Sequence, residues 1–132
     1  MQERAFTLRT DRFNSTESKP HERCFGEDFA AWLQHNLTRA EVDVSEPIQE
    51  DWGWCLVATE AGRKFTVSVG VMDESIGQVP AEWRVGVSYE RPMNGLKGFF
   101  LPVPVALLEM VSAKLHSVLA NEPSFCQLQP AT

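Results

Sequence analysis

The sequence predicts an α+β two-layer sandwich: a mainly antiparallel sheet of about four strands with two helices packed on one face, in the order β-α-β-β-β-α. Three observations carry this expectation. Between Trp52 and Glu90, three segments alternate bulky apolar residues with small or polar ones at period two. Two further segments, opening near Gly26 and Pro104, place apolar residues at helical spacing. The chain has 132 residues, 43% apolar and 23% charged, which makes one ordinary domain over 1–132 with enough length for a single core.

Residues 4–10 alternate weakly, with Phe6 and Leu8 on one side, and predict a short edge strand. This strand would pair in parallel if the following helix served as a right-handed crossover. Residues 11–25 carry Asn14, Ser15, Ser18 and Pro20 and read as a long polar loop. Gly26-Glu27-Asp28 opens the first helix, with two acids suited to the positive end of its dipole. Phe29, Leu33 and Leu37 give it one apolar stripe, ending near Thr38 or Arg39. His35 lies off that stripe.

An acidic linker follows, and then the strands. Trp52, Trp54, Leu56 and Ala58 form one row; Phe65, Val67, Val69 and Val71 a second; Trp83, Val85, Val87 and Tyr89 a third. With Ala61-Gly62 as a two-residue turn, Glu60 pairs with Arg63, Ala58 with Phe65, Leu56 with Val67 and Trp54 with Val69. Both bulky rows then share one face, and a one-residue slip would separate them. The opposite face is small and mixed, open to water, a partner or a second subunit. A second helix runs from about Pro102 or Pro104 to Ala120, with Leu107, Leu108, Val111, Leu115, Val118 and Leu119 as its stripe. Residues 122–132 read as a frayed tail.

The net charge is −6, and its distribution says more than its sum. From Ala40 to Gly62 there are six acids and no Lys or Arg; elsewhere acids and bases balance. Basic residues are scattered, which argues against direct nucleic-acid binding. No apolar run is long enough to span a bilayer, and the N-terminus leads into no signal-peptide core, so a cytoplasmic location without membrane contact is expected. Cys24, Cys55 and Cys126 show no CxxC and no metal-ligand spacing. Cys55 sits in an apolar strand as a small hydrophobe.

No string fixes a reaction: there is no phosphate loop, HExxH or GxSxG. A Cys24–His21 or Cys24–His116 pair lacks any flanking signature of a catalytic thiol. No catalytic residue and no cofactor are therefore assigned. Glu50-Asp51-Trp52-Gly53-Trp54 is the most distinctive string. Adjacent strand residues point to opposite faces, so Glu50 and Asp51 diverge. Position 72 falls opposite position 51, which brings Asp73-Glu74 toward Glu50-Asp51 as a solvated acidic rim or, alternatively, a divalent-cation site. The connection 91–102 is unusually apolar, with Met93, Leu96, Phe99 and Phe100 either tucked under the second helix or presented to a partner. The four tryptophans read mainly as core, with a ligand pocket as the alternative.

Glu50-Asp51-Trp52-Gly53-Trp54, together with Cys24-Phe25-Gly26-Glu27-Asp28, resembles a group of small bacterial proteins to which no activity is attached. In size, acidity and two-layer form the chain is also similar in type to bacterial toxin-immunity proteins, without a shared motif. These features lead to the expectation of a protein that binds another protein, one of basic character, as an immunity protein or inhibitor. The expected contact residues are Glu46, Glu50, Asp51, Asp73, Glu74, Met93, Leu96, Phe99 and Phe100. A homodimer is compatible with this. A secretion-type chaperone, a small-ligand or metal-binding domain, and an enzyme of unknown type are the alternatives.

Overall fold

A computed structural model of the chain describes residues 3–17, 19–90 and 102–131. Its strands are β1 (Glu3–Thr10), β2 (Asp43–Val44), β3 (Ile48–Gln49), β4 (Trp54–Glu60), β5 (Arg63–Val71), β6 (Ala81–Glu90) and β7 (Cys126–Pro130). Its helices are α1 (Glu27–Arg39) and α2 (Val105–Ala120). The strands form one sheet in the order β2-β4-β5-β6-β1-β7, with β3 also paired to β4, and every pairing is antiparallel. The α+β class holds, but the sheet has seven strands rather than about four.

The β4–β5 hairpin has the register its side chains require. Glu60 pairs with Arg63, Ala58 with Phe65, Leu56 with Val67 and Trp54 with Val69. Both central turn residues have positive φ, 51° at Ala61 and 75° at Gly62, the geometry of a type I′ turn that follows the twist of the strands. β6 continues the face, setting Val87 beside Val67 and Val85 beside Val69.

Three expectations are corrected at the sheet's margins. β1 is neither an edge strand nor parallel: it lies antiparallel between β6 and β7, with Phe6 opposite Val85 and Leu8 opposite Trp83. The tail is not frayed, because residues 126–130 supply β7 along β1. The acidic linker supplies β2 and β3, two-residue strands lying one after the other along the outer side of β4. Segments this short carry no readable periodicity.

Both helices cover the bulky face. α1 packs over β2 and β4, and α2 over β6 and β1. Phe29, Leu33 and Leu37 from α1 and Leu108, Val111, Leu115 and Leu119 from α2 are fully buried against Leu56, Phe65, Val67, Trp83, Val85 and Val87. The loop over 11–25 adds to this core instead of running free over the surface. Phe13 stacks on Phe29 with ring centroids 4.2 Å apart and meets Trp32 and Trp83 edge-on. Phe125, just before β7, closes the cluster 4.9 Å from Trp32. The loop backbone is held by Asn14 N–H donating to Asp28 Oδ2 (2.8 Å) and Gly77 N–H donating to Ser15 O (2.9 Å).

Candidate interaction surface

One corner of the molecule gathers the Glu50–Trp54 string, residues 21–25 and the end of β5. Trp54 points into the core and donates its indole N–H to Cys24 O at 2.9 Å. Cys24 Sγ in turn donates to Asp51 O at 3.0 Å, and Arg23 N–H to Gln49 Oε1 at 2.6 Å. The Gln49 amide donates to His21 O. These bonds strap the N-terminal loop across the linker and fix the shape of the corner.

Trp52 does not belong to the buried row. Residues 51–53 form a bend closed by Glu50 N–H donating to Gly53 O at 2.8 Å, and β4 begins only at Trp54. Gly53 makes the bend possible: a Cβ there would lie 2.5 Å from Val69 O. The chain passes so close to β5 that only hydrogen fits, and Trp52 is turned outward, 56% exposed. It stands over a depression of about 280 Å³ walled by Gly70, Met72, Asp73, Glu74 and Arg84. Arg84 is engaged by Glu3 at 2.5 Å, whereas the carboxylates of Asp73 and Glu74 are exposed.

The expected contact residues are thus only partly united. Asp51 has a side chain 93% exposed and faces Arg23 at 3.3 Å. Glu50 is half-buried on the side of Cys55, where its charge adds to the effect of burial in pushing that thiol's pKa up. The two acids diverge, not through strand alternation but because the chain has left β3 and entered the bend at 51–53. Glu46 belongs to a separate depression of about 460 Å³ shared with Glu27, Asp28, Pro47 and Trp54. Met93, Leu96, Phe99 and Phe100 lie outside the described residues. Among the described residues, no three His, Cys, Asp or Glu side chains converge closely enough to hold a metal ion, so the four rim carboxylates do not assemble as a cation site.

The Cys24–His21 and Cys24–His116 pairs do not form either. Cys24 donates to backbone carbonyls, His21 Nε2 lies 2.7 Å from Glu27, and His116 rests against the ring of Phe6. All three cysteines are free. Trp83 and Trp54 are buried and Trp32 is half-buried, so these indoles belong mainly to the core, although Trp54 and Trp32 each also line a surface depression. Trp52, Met72 and Arg84 are the surface residues that the sequence reading missed. The legible signal was Gly53, which interrupts the row it sits in.

No helix among the described residues is long and apolar enough to cross a membrane. No family model, curated protein or solved structure matches the chain. The assignment of this surface therefore rests on its own chemistry.

Proposed function

We propose that the chain is a small acidic protein that acts by binding a basic protein, in the manner of an immunity protein or inhibitor. The observation that carries the reading is Trp52, a large aromatic held outward over a depression whose rim bears Asp73 and Glu74. A strapped corner offers this indole with little loss of conformational freedom, and tryptophan is among the side chains that most often anchor an interface. With Arg84 on its wall paired to Glu3, the depression suits the stem and head of a partner Lys or Arg between the indole face and the carboxylates of Asp73 and Glu74. The acidic excess steers encounter, and the indole supplies affinity once contact is made.

The test is the association rate with the product of the adjacent gene in the native host, followed across ionic strength. The reading predicts that Asp73→Lys combined with Glu74→Lys slows association about tenfold or more at low salt and flattens the salt dependence. Binding that ignores both salt and these reversals contradicts it.

A further inference from the structure

Helix α2 is apolar on two sides, and among the described residues only the inner side packs against the rest of the chain. Its inner side buries Leu108, Val111, Leu115 and Leu119. Its outer side exposes Ala106, Met110, Ala113, Ser117 and Ala120, all solvent-facing and all uncharged. Val105, 46% exposed, extends that side at its start, and Met110 at its centre is 39% exposed. The outer residues follow one another at steps of four, three, four and three. That is the spacing of a coiled-coil seam, with Ala106, Ala113 and Ala120 at d positions and Met110 and Ser117 at a positions. A helix meant only for water would carry charge along this line.

We propose that two copies of the chain associate through this seam, pairing α2 with α2 in parallel. The flanking charges choose both occupant and direction. Glu109 falls at a g position and Lys114 at the e position five residues later. In a parallel pair, Glu109 of each copy faces Lys114 of the other, giving two complementary contacts by symmetry. In an antiparallel pair centred on Ala113, Lys114 would face Lys114. Each of these two residues already has an ion-pair partner in its own chain, Arg4 for Glu109 and Glu60 for Lys114, with 53% of the Glu109 side chain and a third of Lys114 exposed, so the contacts between copies form in exchange with these pairs. Small residues along the seam let the helices approach closely, and Met110 fills the space between them. The helix is about 24 Å long, and one such seam buries less than the roughly 800 Å² per partner of a standard interface. The dimer is therefore weak and forms only at high protein concentration. This association is independent of the Trp52 surface and leaves it uncovered.

Sedimentation equilibrium on the full chain tests this. The apparent mass should climb from monomer toward dimer between about 10 and 500 µM. Met110→Glu and, separately, Ala113→Glu should keep it monomeric with an unchanged circular dichroism spectrum. Glu109→Lys should weaken the dimer at least tenfold, and adding Lys114→Glu to it should restore association. In a Cys126→Ser background, Ala106→Cys should oxidise to a covalent dimer linked at position 106 in both copies. A monomer at every concentration overturns the proposal. So does a dimer that tolerates Met110→Glu, or one that Ala106→Cys links only when Ala120→Cys is also present.

Discussion

Trp52 and Trp54 differ in fate because of the residue between them. Period two assigns both indoles to the core, yet Gly53 lets the backbone press against Val69 and turns the first one out. Gly53→Ala cannot be accommodated by a side-chain adjustment, since the atom in the way is a backbone oxygen. Chemical denaturation should show a loss of more than about 2 kcal/mol, and Trp52 emission should change with it. A near-neutral Gly53→Ala would mean that the close approach is not real.

Two titrating groups give further residue-scale tests. Burial first, and then the charges of Glu50 and Glu90, push the Cys55 thiol up, so it stays neutral where an exposed thiol begins to ionise. Native alkylation should modify the exposed Cys126 first and reach Cys55 only on unfolding; fast native labelling of Cys55 would contradict its burial. Glu122 is shifted the other way. The Ser124 amide donates to its carboxylate at 3.1 Å and the Ser124 hydroxyl at 2.8 Å, with Arg12 adding its charge, and together they hold the pKa below the ordinary carboxylate value. A carboxyl whose folded pKa is lowered stabilises the fold above its unfolded pKa, about 4.3. That contribution disappears as pH falls through the folded value. Glu122→Gln should destabilise the fold modestly near neutrality, since solvent screens part of the charge, and the difference from wild type should close in acid. A difference that persists unchanged in acid would show that the bonds do not depend on the charge.

Among the elements, the β4–β5 hairpin was the most legible. Its two bulky rows admit one register, and the observed pairing is that register. α1 came next, because Phe29, Leu33 and Leu37 mark one face and two acids mark its start. The elements that escaped are those without a pattern. β2 and β3 are two residues each, and β7 reads Cys-Gln-Leu-Gln-Pro with mostly exposed side chains. They exist because a neighbouring strand offers unpaired backbone groups, a property of the assembled sheet that no local window contains. Phe13 was missed for the same reason: it sits in a polar stretch, and only its stacking on Phe29 makes it core. The hairpin turn carries its own test. Ala61 has φ of 51°, which an alanine adopts at a cost. Ala61→Asn should raise stability by about 0.5–1 kcal/mol in thermal or chemical unfolding, and a loss would argue against the I′ geometry.

At the scale of the molecule, one continuous core under both helices leaves the acidic linker along the β4 edge and the Trp52 corner at its end. The charge excess was visible in the sequence, but its relation to an aromatic anchor was not. Glu46 is drawn to the side of α1, Glu50 turns toward Cys55, and only Asp73 and Glu74 share the depression under Trp52. The proposed contact surface is consequently smaller than the acidic stretch and is centred on an aromatic residue. The most direct test is calorimetric titration of the proposed basic partner with wild type and with Trp52→Ala. The account predicts a loss of about 2 kcal/mol or more, close to thirtyfold in affinity, with the fold unchanged. Equal affinity for the two proteins would contradict it.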